Sequence, residues 1–268
     1  MSLEVRNLSF SYSRDKNVLD GINYTIKDGE FACVLGPNGV GKSTMFKCIL
    51  RLLTTYTGEI YVDGRDTKGL SSKQMAKKIA YIPQSAGAVF NYSVSDTILM
   101  GTTAMVDRFR SPGKKEEEYV DMALETLQIT HLKNRMFKRI SGGEKQLVLI
   151  ARALAQQAKT LLMDEPTASL DYGNQMRVME KIKDLSEKGY TIIQSTHNPE
   201  QTLWYADRVL ALQKGQLISE GAPSEVMDKD LLKQLYQVDV QIEALHEGRI
   251  SVCLPQKLLN SGNSCSDK

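Results

Sequence analysis

The segment GPNGVGKST, residues 36–44, matches the spacing G-x-x-x-x-G-K-[ST]. It comprises Gly36, Pro37, Asn38, Gly39, Val40, Gly41, Lys42, Ser43 and Thr44. The glycines let the backbone wrap a phosphate chain with several N–H groups pointing inward. A following helix N-terminus adds partial positive charge. Lys42 is expected to reach the β- and γ-phosphates and Ser43 to ligate Mg2+. Further along, LLMDEP sets Asp164 and Glu165 at the end of an apolar run. Carboxylates at strand C-termini face the phosphate site in open α/β sheets. Asp164 is the natural second anchor for Mg2+, through a coordinating water. Glu165 is placed to orient or deprotonate an attacking water, help worth roughly 10²–10⁴ in rate.

These groups need strands and helices to hold them. FACVLG, just before the phosphate loop, is a short continuous apolar run, as for a strand covered on both faces. A helix is predicted after the loop, over about residues 43–53. Upstream, LEVRNLSFSY and NVLDGINYTI read as antiparallel strands with a turn near Asp20-Gly21. GEIYVDG is another strand bounded by glycines. Residues 71–132 read as mostly helical, with a charged loop, DRFRSPGKKEEE, broken by Pro112 and Gly113 and taken as a solvated surface insertion. A helix follows it, over about residues 116–127. From about 142 to 157 the pattern is helical, with Leu147, Ile150, Ala151 and Leu154 on one face. Strand TLLMD, a helix ending near Gly189, strand TIIQST, a short helix after Pro199 and strand RVLAL complete the alternation. Alternating strand and helix implies a parallel sheet with helices on its faces. The tail adds strand-like VQIEAL and RISVCL and ends in polar NSGNSCSDK, expected to be disordered.

The 268 residues fit one large α/β domain or a domain with a modest appendage. Hydrophobic residues at 41% can supply a sizeable core, and a net charge of +2 is too close to balance to argue for nucleic acid as a partner. No stretch approaches the ~20 apolar residues of a spanning helix. MSLEVRNLSF does not read as a signal peptide, so the chain is expected to remain in the cytoplasm and to reach a membrane only by docking on an embedded protein. Cys33, Cys48, Cys253 and Cys265 form no CxxC pair, which disfavours zinc or a disulfide framework.

Between the two chemical motifs lies ISGGEKQLVLIARALAQ, followed by LLMDEPTASLD. This text resembles the signature segment of ABC-type ATPases, and the resemblance runs from Tyr12 to about Gly221. Other landmarks come in order: Tyr12, Gln84 in YIPQ, Ser169 to Asp171, and His197 in QSTHNP. The resemblance implies an α/β fold, a P-loop NTPase with a parallel-sheet core, an N-terminal antiparallel β subdomain and an inserted α-helical subdomain. It implies an ATP-binding domain over residues 2–238, its helical subdomain at about 85–158, and a C-terminal extension at 239–268. By the same resemblance Tyr12 stacks on adenine, and Gln84 senses Mg2+ and water on the loop joining the subdomains. His197 contacts the γ-phosphate and holds water and Glu165 in place. Ser141, Gly142 and Gly143 precede a helix and form a second anion site, with Glu144 beside it. The resemblance implies that this site caps the γ-phosphate of the opposite subunit, so that two ATP join two copies head to tail and Asp171 bridges the interface. Departures from the pattern are Ile140, Glu144, Lys145 and Asn198; none removes a group assigned to chemistry.

SVSDTILMG, SGGEKQLVLIARALAQ and KGQLISEGAPSEV resemble ATPases of importers for iron–siderophore, haem and cobalamin; THNPEQ is similar to relatives serving molybdate or tungstate. The implied partners are a second ATPase subunit forming a homodimer, integral-membrane permease subunits and, indirectly, an extracytoplasmic solute-binding protein. The implied location is the cytoplasmic face of the cell membrane. A soluble ABC-type ATPase for iron–sulfur cluster assembly would share every nucleotide motif. A DNA-linked relative would carry a coiled-coil insertion, and no sustained heptad run occurs. A small-molecule kinase would not explain SGGE.

Overall fold

The computed structural model describes residues 3–13, 16–84, 92–106, 111–247 and 250–261. In chain order, β1 (Leu3–Ser13), β2 (Lys16–Ile26) and β3 (Phe31–Leu35) precede α1 (Lys42–Ile49). Then come β4 (Thr57–Val62), β5 (Arg65–Asp66), α2 (Ser72–Ala76) and β6 (Ile79–Ile82). Three helices follow: α3 (Val94–Leu99), α4 (Lys114–Thr126) and α5 (Gly142–Ala155). The chain continues through β7 (Thr160–Asp164), α6 (Tyr172–Glu187), β8 (Thr191–Thr196), α7 (Pro199–Tyr205), β9 (Arg208–Gln213) and β10 (Gln216–Gly221). Last come α8 (Pro223–Val226), α9 (Lys229–Tyr236), the hairpin β11 (Val240–Leu245) and β12 (Ile250–Pro255), and α10 (Gln256–Ser261).

The main sheet has the order β10-β9-β3-β8-β7-β6, parallel except for β10. A second, antiparallel sheet has the order β2-β1-β4-β5. Strands β3, β7 and β8 are buried at every position, which explains the apolar runs FACVL, LLM and II and leaves the polar residues of β7 and β8 buried as well. Side chains alternate across the main sheet. Phe31, Cys33, Leu161, Met163 and Ile192 face a core shared with Ile98, Leu124 and Val148 of α3, α4 and α5. Ala32, Val34, Leu162 and Ile193 face the opposite core, shared with Phe46 of α1 and with Leu3, Leu8 and Ile22 of the antiparallel sheet. The main sheet is thus the middle layer, and its carboxyl edge lies between both cores.

Four expectations change. Asp20-Gly21 is not a reversal: β2 runs straight through it, Gly21 has φ 62°, and the register with β1 slips between the pairs Leu8–Ile22 and Phe10–Leu19. This is a bulge, held by Asp20 N–H bonding to the Gly215 carbonyl (2.9 Å) and Gly21 N–H to Ser9 Oγ (2.8 Å). Within the stretch read as mostly helical, residues 79–82 form an edge strand, β6, paired with β7. The helix after the phosphate loop stops at Ile49 because Arg51 turns left-handed (φ 57°) and Leu52 N–H closes back on the Lys47 carbonyl at 2.8 Å. At the other end of the chain, α10 takes in the first two residues of NSGNSCSDK; the disorder expected of the rest concerns residues 262–268, outside the described residues. The hairpin strands of the tail are as expected. The helical region expected at about 85–158 includes residues 85–91 and 107–110, which lie outside the described residues, as does Cys265. Among the described residues no helix is long and apolar enough to cross a membrane.

Candidate active site

The phosphate loop leaves the end of β3 through Gly36. A Cβ there would lie 2.3 Å from the Leu212 carbonyl oxygen of β9, so only glycine fits. Gly39 (φ 82°) and Gly41 (φ 110°) then turn the chain through left-handed conformations. Gly41 caps α1 without any side-chain hydrogen bond, which leaves first-turn N–H groups for an anion. The Lys42 ammonium is buried; it donates to the carbonyls of Gly36 (2.7 Å) and Pro37 (3.0 Å) and lies 3.1 Å from Glu165 Oε1. A cavity of about 450 Å³ opens above the loop, lined by Tyr12, Asn38, Lys42, Ser43, Gln84 and Glu165 among others.

Asp164 ends β7 and Glu165 follows it, and the parallel register sets Asp164 beside Ser195 of β8. The Ser195 hydroxyl donates to Asp164 Oδ1 (2.7 Å), and the Tyr81 hydroxyl to Asp164 Oδ2 (3.4 Å). Burial, with the Asp164 charge beside it, pushes the Tyr81 phenol up to about 12, so it stays a donor. Glu165 is held at φ 46°, a left-handed conformation that costs a non-glycine residue about 1–3 kcal/mol. Its N–H donates to Ser195 Oγ at 2.9 Å, so one buried serine orients both acids. Glu165 Oε2 lies 3.2 Å from His197 Nδ1 and accepts from Gln84 Nε2 at 3.5 Å. Lys42, Glu165, His197 and Gln84 thus meet at the carboxyl ends of β3, β7, β8 and β6, four neighbours in one sheet. Tyr12 is 62% exposed at the rim, its ring edge-to-face with Phe10 and its hydroxyl 3.3 Å from Thr44 Oγ1.

Ser141, Gly142, Gly143 and Glu144 lie elsewhere; none lines the cavity. Ser141 caps α5 in a reciprocal box: Glu144 N–H donates to Ser141 Oγ (3.3 Å) and Ser141 N–H to Glu144 Oε2 (2.7 Å). That backbone bond holds the Glu144 carboxyl below its ordinary value. Asp171 caps α6, accepting from Asn174 N–H (2.9 Å) and from Asn174 Nδ2 (2.7 Å), and these bonds lower its carboxyl too. Asn174 also packs on Gly143, where a Cβ would come within 2.4 Å of its Oδ1. The structure therefore joins Asp171 to the signature segment and separates both from Lys42. Sequence reasoning passed over Ser195, Tyr81 and Gln201. Their one signal was position: TIIQST was read only as a strand, yet its register against TLLMD sets Ser195 at Asp164.

Parallel strand ends that carry a phosphate loop and an acidic pair define a P-loop ATPase. Residues 19–168 match the ABC transporter family. Over 247 residues, 92% of this chain and 93% of the relative, the sequence is 40% identical to an uncharacterized ABC transporter ATP-binding protein of Haemophilus influenzae. It is 33% identical to the ferric enterobactin transport ATP-binding protein FepC of Escherichia coli, covering 87% and 86% of the two chains. For the iron(3+)-hydroxamate import ATP-binding protein FhuC of Bacillus subtilis the identity is 32%, covering 97% of each. A chain from a solved inward-facing ABC transporter, assigned to the metal-chelate type, superposes with a TM-score of 0.84 at 31% identity, covering 96% of this chain and 99% of that one. The chain belongs to the ABC transporter ATP-binding family. It is an ATP hydrolase of the kind coupled to transport, from a family that binds ATP, generally with Mg2+.

Proposed function

We propose that this chain energises uptake of a metal chelate, of the iron–siderophore, haem or cobalamin type, through a separate permease. It works as one of two identical subunits at the cytoplasmic face of the membrane, with an extracytoplasmic solute-binding protein delivering the cargo. The ATP-binding domain spans residues 2–238, and 239–268 is an extension. The observation that supports the catalytic reading is the placement of Glu165 between Lys42 at 3.1 Å and His197 at 3.2 Å. The cargo class is supported by near full-length similarity to the enterobactin and hydroxamate transport subunits.

In this reading Lys42 leaves the loop carbonyls for the β- and γ-phosphates, and Tyr12 stacks on the adenine. Glu165 takes a proton from the attacking water. The water oxygen bonds to the γ-phosphorus as the bond to the β–γ bridging oxygen breaks, giving ADP and phosphate. His197 steadies Glu165 and the developing charge. The donors near Lys42 are oxygens: the Ser43 hydroxyl, the Gln84 amide and an Asp164 carboxylate already oriented by Ser195 and Tyr81. That set fits Mg2+, which takes one or two carboxylates and fills its remaining positions from phosphates and water. When bound, Mg2+ would neutralise charge on the β- and γ-phosphate oxygens. Ser141 through its hydroxyl, and Gly142 and Gly143 through their N–H groups, cap the γ-phosphate on the second copy, with Glu144 holding the Ser141 N–H and Asp171 bridging the pair. A groove of about 420 Å³ between α2, β6 and α5, with Leu52 (65% exposed) and Met100 (40% exposed) at its edge, suits an apolar permease helix.

The test is capture and transport together. A tagged chain is expected to co-purify with a polytopic permease, and cells lacking it to lose uptake of iron-loaded siderophore. Recovery of soluble iron–sulfur scaffold proteins instead, with uptake intact, overturns the proposal. Loss of molybdate uptake alone overturns the cargo class.

A further inference from the structure

We propose that Gln201 is a positioning residue for hydrolysis, setting the gap between Glu165 and His197 from behind. This rests on the reading of Glu165 as the base and His197 as its partner. The two residues leave different strands, β7 and β8, and their side chains meet beyond the last ladder hydrogen bonds. Behind them, Gln201 Oε1 accepts from Thr167 Oγ1 (3.3 Å) and from Thr196 Oγ1 (3.4 Å). Thr167 lies two residues after Glu165, and Thr196 directly precedes His197. One amide oxygen therefore ties the two backbone segments together. All three side chains are buried, Gln201 being 2% exposed. The Thr196 hydroxyl already accepts from Asn198 N–H at 3.0 Å, which directs its proton towards Gln201.

The helix carrying Gln201 is itself held at both faces. At its start, Asn198 Oδ1 accepts from the N–H groups of Glu200 (2.9 Å) and Gln201 (3.2 Å). On its outer side, Trp204 Nε1 donates to the Ser251 carbonyl at 2.7 Å, and Glu200 Oε1 accepts from Cys253 N–H at 3.3 Å. The C-terminal hairpin thus braces α7, and α7 braces the strand ends. Slack is available if the tie is cut: Gln201, Glu165, Thr167 and His197 border a cavity of about 50 Å³, large enough for the side chains to shift into. A displacement near 1 Å at a reacting group costs roughly 10²-fold in rate. The bonds to Gln201 Oε1 come from Thr167 and Thr196. The phosphate loop is met through the Thr196 carbonyl, which accepts from Gly36 N–H at 3.3 Å, and through Glu165 beside Lys42 at 3.1 Å, so ground-state nucleotide binding should change much less than turnover.

The experiment compares full-length Gln201→Met, similar in shape but without an amide, with Gln201→Glu, which keeps an acceptor oxygen in either protonation state. Steady-state ATP turnover is measured alongside the thermal midpoint, with Glu165→Gln as the reference. The expected result is kcat lowered about tenfold or more in Gln201→Met with KM for ATP within about twofold, and most of that loss recovered in Gln201→Glu. Thr167→Val should lower kcat in the same way, and adding it to Gln201→Met should cost little more, because both cut one tie. If Gln201→Met does not fold, the isosteric Thr167→Val, which loses its bond to Gln201, carries the same kcat-against-KM comparison. Unchanged kcat in these variants while Glu165→Gln is inactive overturns the proposal alone. A kcat loss that Gln201→Glu fails to recover, and that follows the thermal midpoint, also overturns it. Full turnover in Glu165→Gln overturns the base assignment beneath it.

Discussion

At the carboxyl edge of the main sheet, four strand ends deliver Lys42, Glu165, His197 and Gln84 to one another, and the groups close on themselves. At the start of α5 one helix end presents Ser141 and Gly142 outward, and its polar groups are satisfied by a local capping box. In the proposed reading both regions bind anions through backbone N–H groups at a helix N-terminus. They differ in who completes them. The first gathers its carboxylate, imidazole, amide and ammonium from within the chain. The second is supported from behind by Asn174 and Asp171 and lies apart from the cavity above Lys42. A site finished internally should fail when any of its members is changed. A site finished by a second copy should fail only in assays that need two chains.

The largest effect tests the internal site. Glu165→Gln keeps the bulk of the side chain and removes the base, so turnover should fall by roughly 10²–10⁴. ATP binding, followed by equilibrium titration, should persist, and size-exclusion chromatography should show an ATP-bound dimer accumulating. Retained turnover would break the comparison at its first term. Next comes Gly142→Asp. A Cβ added there would meet Leu170 at 3.4 Å, an ordinary contact, and the residue is exposed, so the fold should tolerate the change, yet it places a negative charge on the outward face. Turnover is expected to fall on the order of 10²-fold while single-chain nucleotide affinity and thermal midpoint stay near wild type. A variant that loses affinity as a monomer would show that the signature segment belongs to the chain's own pocket.

Ser195→Ala should have a smaller effect, read mainly as stability. It leaves a buried Asp164 oxygen without its donor and the Glu165 N–H without its acceptor, worth about 1–3 kcal/mol in denaturant melts. Turnover should fall too, since the strained Glu165 backbone loses a restraint. This residue also marks the limit of what the sequence disclosed. The phosphate loop and the acidic pair were legible because their chemistry lies in consecutive residues. Ser195, Tyr81 and Gln201 were not, because register and strand order bring them to the site. Edge strand β6 was missed for a related reason: four residues, IAYI, carry too short a pattern to separate a strand from a helix. Asp20-Gly21 has the local chemistry of a hairpin turn, yet a carbonyl from Gly215, far along the chain, holds it inside a strand.

The smallest effect separates the two uses of the signature helix. In the folded chain the Ser141 N–H bond holds the Glu144 carboxyl below its ordinary value of 4.5. A depressed folded value means that the carboxylate adds stability above the ordinary value, and that this is lost as pH falls through the folded one. The side chain is half-buried at the protein surface, so the gain is partly screened and modest. Glu144→Gln can still accept from Ser141 N–H through its amide oxygen. At neutral pH its thermal stability should therefore stay within about 0.5 kcal/mol of wild type. As pH falls from the ordinary 4.5 through the lowered folded value that small difference should vanish, because the wild-type carboxylate is then being protonated. If Glu144 only braces the cap, ATP-driven pairing in Glu165→Gln/Glu144→Gln should match that of Glu165→Gln alone. Pairing that collapses while the melting curves coincide would instead make Glu144 part of the outward-facing surface, and the capping box would then serve two masters, the helix and the second chain.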